Sequence, residues 1–185
     1  MDKAIFLDRD GTINIDPYDY IKKADDFKLI PRVYEAFQNL KSTDYLLVLL
    51  TNQSGINREL YTLSELGRIH QKMEDLLQVR FSGIYFCPHE KFEGCNCRKP
   101  KPGMLERAIK ELQIDLSRSY LIGDKTSDIK IGNDALCHTI LLKTGYSGND
   151  KEYDIKPDII VSDLYDAVDY IFCNDQIENL IDIFK

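Results

Sequence analysis

The chain lacks any stretch long enough to cross a bilayer as a helix. Its longest apolar run, Tyr45–Leu50, falls far short of the roughly 20 residues required. It also lacks a basic start followed by an apolar segment: it opens MDKAIFLDRDG, so no export signal is expected. A surplus of positive charge is missing too. With 24 Lys and Arg against 31 Asp and Glu, the formal net charge is −7. That balance excludes the electrostatic footprint of a nucleic-acid binder and a polybasic membrane patch. The 11 tyrosines are scattered and form no stacking platform for bases. Internal repeats, low-complexity tracts and linkers are absent, so residues 1–185 read as one domain. The five cysteines are an odd number without an export signal, which argues against a disulfide framework and for a reducing, cytoplasmic setting.

What is present is the balance of a globular protein, 43% hydrophobic and 30% charged. Short apolar runs alternate with helical patterns. Ala4–Leu7, Tyr45–Leu50, Gly83–Phe86, Tyr120–Ile122, Thr139–Leu142 and Asp158–Val161 read as strands. Between them lie a helix opened by Pro31, one over Leu63–Val79 with Thr62 and Glu65 as a capping box, Pro102–Leu112, Asp128–Ala135 and about Leu164–Phe172. The segment 174–185 is left open between helix and fray, packing or dimerisation. Such alternation predicts an α/β fold, a Rossmann-like doubly wound parallel sheet with helices on both faces. Ligands then bind beyond the carboxyl ends of the strands.

Chemistry-bearing residues gather at those ends. Asp8 and Asp10 follow the first strand, and two carboxylates so close make sense beside a cation such as Mg²⁺. One can attack phosphorus while the other handles protons. Thr51, Asn52, Gln53 and Ser54 follow the second strand and can present donors to phosphate oxygens. Asp124 follows the fourth strand, with Lys125 beside it and Asp128 one helical turn on. Arg98 and Lys99 supply positive charge. Just before them, Cys87, His89, Cys95 and Cys97 place four soft ligands within eleven residues, the donor set of a structural zinc site. The remaining histidines and cysteines read as bland: His70 on the surface, Cys137 and His138 in packing, Cys173 as a buried small side chain.

Together DRDGT (8–12), TNQSG (51–55), CRKPKPG (97–103) and GDKTSD (123–128) resemble the haloacid dehalogenase superfamily of phosphotransferases, over roughly residues 4–145. The resemblance implies Asp8 as nucleophile, Asp10 as general acid and base, and Thr51 and Lys99 as holders of the phosphoryl group. It implies Mg²⁺ on Asp8, Asp10 and Asp124, with Asp10 contributing its main-chain carbonyl. The cysteine loop resembles the superfamily's zinc-containing branch, which includes heptose 1,7-bisphosphate and histidinol-phosphate phosphatases and uses this loop in place of a large cap domain. In that branch Arg98 recognises substrate, and Asn52, Gln53, Ser54, Lys125, Asp16 and Tyr20 are further contacts. TNQSGINREL and RKPKPGM look closer to the heptose enzymes, which serve synthesis of the lipopolysaccharide core. The five-residue gap between His89 and Cys95 also fits the histidinol enzymes. The expected partner is a small phosphorylated substrate, acted on by a monomer, with a dimer left open. A phosphate-binding module without catalysis would have lost one of Asp8, Asp10, Lys99 or Asp124, and all four are present.

Overall fold

The computed structural model describes the backbone of residues 1–183 and the side chains of residues 1–177. Six strands run in parallel: β1 (Ala4–Leu7), β2 (Leu46–Asn52), β3 (Gly83–Cys87), β4 (Tyr120–Gly123), β5 (His138–Leu142) and β6 (Ile159–Val161). Their spatial order is β3-β2-β1-β4-β5-β6. This is the doubly wound order, and it reverses direction between β1 and β4, where a crevice opens beyond the strand ends. In β1 every residue is buried, because alternate side chains enter different layers: Ile5 and Leu7 join one core, Ala4 and Phe6 the other.

The first core takes α1 (Val33–Leu40), α2 (Leu63–Leu77) and α5 (Leu164–Ile183); the second takes α3 (Gly103–Leu112) and α4 (Thr126–Asp134). In α1 the buried positions Val33, Ala36, Phe37 and Leu40 follow helical spacing. That helix starts later than its proline suggests, because Arg32 sits at φ 66° and only the next residue is helical. The expected capping box of α2 is present: Thr62 Oγ1 accepts from Glu65 N at 3.2 Å, and Glu65 Oε2 accepts from Thr62 N at 2.7 Å. Such a cap is worth about 1 kcal/mol.

Three minor readings are corrected. His70 is not a surface residue but 6% exposed, because Leu66, Ile69, Met73 and Leu77 define a buried stripe that includes position 70. Cys173 is exposed, lying off the stripe of Leu164, Ala167, Val168 and Ile171 that α5 buries. Cys137 is buried as expected, whereas His138 is exposed with its ring 5.2 Å from that of Tyr120. α5 continues to Ile183, so the backbone of the segment after Phe172 is helical that far; any dimer contact by its last side chains lies outside the described residues. No helix among the described residues is long and apolar enough to cross a membrane.

Candidate active site and cysteine cluster

The sheet order sets the ends of β3, β2, β1 and β4 side by side. Asn52 and Cys87 are the last residues of β2 and β3, and Asp8 and Asp124 directly follow β1 and β4. Above them is a cavity of about 560 Å³, whose lining includes Asp8, Asp10, Ser54, Arg98, Lys99 and Lys125. Among the described residues no separate cap stands over it. Its rim is built by the loops after β1, β3 and β5.

Lys99 is the electrostatic centre. Its side chain is 2% exposed, and its Nζ lies 2.8 Å from Asp8 Oδ1, 2.7 Å from Asp128 Oδ1 and 2.6 Å from the Leu50 carbonyl. Burial alone would lower its pKa, but the charges of Asp128 and Asp8 outweigh that and raise it, so the ammonium is held charged. Asn52 fixes its backbone from the end of β2: Asn52 Oδ1 accepts from Lys99 N at 3.0 Å, and Asn52 Nδ2 donates to Lys99 O at 3.3 Å.

Asp8, Asp124 and Asp128 can each bring a carboxylate oxygen within 4.8 Å of the others. Burial, then repulsion from Asp8 and Asp128, pushes Asp124 up to about 8. The two carboxylates after β4 are not equivalent. Asp128 Oδ1 is ion-paired with Lys99, and Asp128 Oδ2 accepts from Lys125 N at 3.1 Å. Asp124 Oδ2 accepts from Tyr146 N at 2.7 Å, whereas its Oδ1 is buried without a hydrogen-bond partner. A buried orphan carboxylate oxygen beside two more carboxylates fits a hard divalent cation.

Two glycines shape this cradle. Gly11 (φ 88°) and Gly145 (φ 53°) flank Asp124, and a Cβ on either would overlap its carboxylate. The loop carrying Gly145 is strapped down by Gly148 N on Asp124 O at 2.7 Å and Thr144 Oγ1 on Gly11 O at 2.6 Å. Gly145→Ala is therefore expected to lower affinity for Mg²⁺ at least tenfold while the fold persists; titration of activity and thermal stability against Mg²⁺ checks this.

The Asp10 carboxylate does not face that cluster. Arg9 Nη2 reaches both its oxygens at 2.9 Å, Asn14 Nδ2 donates at 2.9 Å, and Gln53 Nε2 at 2.8 Å. Burial would raise its pKa, but the Arg9 charge and these bonds prevail and hold it below the ordinary aspartate value. Arg9 is itself 1% exposed, with Nη1 3.4 Å from His70 Nε2. Burial, then the Arg9 charge, depresses His70 to about 3 from an ordinary 6.5. The folded protein thus refuses a proton that the unfolded chain takes up below about pH 6.5. Stability should fall as pH drops from about 6.5 towards 3, by up to about 1.4 kcal/mol per unit. His70→Gln should flatten that slope in denaturant titrations run across the window.

The other expected contacts divide. Ser54 lines the cavity and is 3.1 Å from the Tyr20 hydroxyl; Asp16 lines it with Lys125, 3.5 Å apart. Gln53 and Thr51 are both 1% exposed. Gln53 stands behind the cavity wall, where its Nε2 also donates to Thr51 Oγ1 at 2.8 Å. A direct substrate contact by Gln53 is therefore corrected to a supporting position, because its amide is fully engaged inside the protein. Sequence reasoning missed Arg9, His70, Tyr61, Tyr146 and Gly145. Of these only the Gly145 turn had a local signal, in the run of turn residues after β5.

At the rim, Cys87, His89, Cys95 and Cys97 converge as expected. Cys87 Sγ lies 3.7 Å from Cys95 Sγ and 3.1 Å from Cys97 Sγ, and His89 Nδ1 lies 3.2 Å from Cys97 Sγ. Tetrahedral zinc with Zn–S near 2.3 Å sets sulfurs about 3.8 Å apart. The cluster thus fits such an ion with small adjustment, and all four donors lie within 4.8 Å of one another. The next residue after it, Arg98, donates to the His89 carbonyl at 3.1 Å.

A parallel sheet with a buried lysine, paired aspartates and an aspartate-lined crevice at its switch point defines a phosphatase of the haloacid dehalogenase type. The HAD-hydrolase-like family model matches residues 96–167. D-glycero-beta-D-manno-heptose-1,7-bisphosphate 7-phosphatase of Pasteurella multocida is 48% identical over 155 residues, 78% of this chain and 84% of that protein. The Haemophilus ducreyi enzyme of the same name is 41% identical over 180 residues, 91% and 98% respectively. The crystal structure of D,D-heptose 1,7-bisphosphate phosphatase from B. bronchiseptica, complexed with magnesium and phosphate, superposes with a TM-score of 0.86 at 31% identity, covering 93% of this chain and 99% of that one. The chain belongs to the family of heptose bisphosphate phosphatases.

Proposed function

We propose that this chain removes the 7-phosphate of D-glycero-β-D-manno-heptose 1,7-bisphosphate and leaves the 1-phosphate in place. The observation that carries the mechanism is the Lys99 ammonium held between Asp8 and Asp128. Asp8 is the nucleophile: its carboxylate lines the cavity, and Lys99 beside it offsets charge on the transferring phosphoryl group. The Thr51 hydroxyl, accepting from Gln53, has its own proton free for a phosphoryl oxygen. Asp10 lines the same cavity; it protonates the leaving oxygen and then takes a proton from the water that opens the aspartyl-phosphate. Asp8 and Asp124 would hold Mg²⁺, with the Asp10 carbonyl, and Asp128 serves as counter-ion to Lys99. Bound there, Mg²⁺ supplies electrostatic stabilisation of the phosphoryl oxygens.

Arg98, Lys125, Arg58 and Lys101 line the cavity and give an acidic protein a local welcome for a doubly phosphorylated sugar. Zinc on Cys87, His89, Cys95 and Cys97 would pin the loop that presents Arg98 and Lys99. A reducing cytoplasm suits those thiolates. The test is phosphate release with Mg²⁺ from both anomers of the heptose bisphosphate and from histidinol phosphate. The β-anomer should give the highest kcat/KM, with ³¹P NMR showing the anomeric phosphate retained. A preference for histidinol phosphate would overturn the substrate while leaving Asp8 and Lys99 in their roles.

A further inference from the structure

Two side chains outside the four motifs converge on Asp10 through intermediaries. Tyr61 is 4% exposed, and its hydroxyl donates to Gln53 Oε1 at 2.6 Å. That bond fixes which way the Gln53 amide points: with Oε1 held by Tyr61, Nε2 must face Asp10 Oδ2 and Thr51 Oγ1, each at 2.8 Å. A reversed amide would set oxygen against carboxylate. The ring is buried and packs so closely on Gly55 that a Cβ there would overlap it. On the other side, His70 Nε2 meets Arg9 Nη1 at 3.4 Å. Arg9 has only donors, so the imidazole must be neutral and accepting at Nε2. The same guanidinium spans both Asp10 oxygens through Nη2 and adds Nε at 3.2 Å.

We propose that Tyr61 and His70 are positioning residues for the proton-transfer step, acting on Asp10 through Gln53 and Arg9. The proposal rests on the reading of Asp10 as general acid. Neither side chain touches the cavity; the groups they hold, Gln53 and Arg9, stand behind its wall and bond Asp10, which lines it. The arrangement is a buried two-armed clamp, and loss of either arm lets the Asp10 carboxylate swing from its line to the leaving oxygen.

A series of phosphate monoesters with leaving groups from nitrophenol to a simple alkanol separates positioning from general damage. A good leaving group departs with little protonation, whereas an alkoxide needs the acid. Tyr61→Phe keeps the ring and should lose about tenfold in kcat on the alkyl ester, within the 10²–10⁴-fold that a placed acid supplies. It should lose under about twofold on the nitrophenyl ester, with KM and melting temperature nearly unchanged. His70→Leu should show the same steepened dependence, and His70→Gln, whose side-chain oxygen can accept from Arg9, should restore it. Asp10→Asn is the reference. If it steepens the dependence while Tyr61→Phe and His70→Leu slow all esters equally or none, the positioning role is overturned. If Asp10→Asn itself leaves the dependence unchanged, Asp10 is not the acid and both readings fail.

Discussion

Asp8→Asn should leave no measurable turnover in an otherwise folded protein, a loss of at least about 10⁴-fold in kcat with any phosphate ester. The amide cannot form the acyl-phosphate bond, so the change removes the reaction route and not merely an affinity. Folding should survive because the neighbour that loses a partner keeps others: Lys99 retains Asp128 at 2.7 Å and the Leu50 carbonyl at 2.6 Å. Asp8 also repels Asp124, so the neutral variant should melt no lower than the parent in metal-free buffer. Single-turnover measurement with acid quench makes the case sharper, since the parent should yield a protein-bound phosphate and the variant none. Full activity in Asp8→Asn would remove the aspartyl-phosphate from the mechanism.

Lys99→Met should damage both chemistry and stability, and Mg²⁺ should separate the two. Methionine roughly preserves volume but leaves Asp8 and Asp128, at 6% and 0% side-chain exposure, without their shared cation. Removing one partner from a buried ion pair costs about 3–5 kcal/mol. In a chain of this size that lowers the melting temperature by on the order of 10 °C. Millimolar Mg²⁺ should recover part of that drop, because a cation bound among the carboxylates stabilises the folded state by linkage. It should not recover kcat, since the metal cannot take the ammonium's place beside the transferring group. Equal recovery of both would mean that Lys99 serves only to neutralise the aspartates.

The sheet and most helices were legible because their signals are local. β1 and β2 are buried on both faces and read as unbroken apolar runs, and Thr62 with Glu65 marks the start of α2. Placement of Asp8, Asn52, Cys87 and Asp124 followed from one topological rule about strand ends. Other features depend on which way a polar side chain turns, and adjacent residues do not say. Asp124 and Asp128 look alike as two acids at the start of a helix; only the packed structure gives one to Lys99 and leaves the other with an orphan oxygen. Gln53 reads as a free donor beside Thr51, yet Tyr61 and Asp10 claim both ends of its amide. His70 looked solvated because its neighbours on the chain are polar, but it faces a buried arginine contributed from the end of β1.

The glycines around Asp124 bear on how such a protein can be recombined. Gly11 lies in the loop after β1, Gly145 in the loop after β5, and both close on a carboxylate carried by β4. A Cβ at Gly145 would also come within 2.8 Å of Gly11 Cα, so the two loops meet backbone to backbone. Segments far apart in the chain therefore form one unit of inheritance. A chimera that imports the loop after β5 from a distant relative keeps its metal cradle only if that donor also carries a residue without a side chain at the facing position.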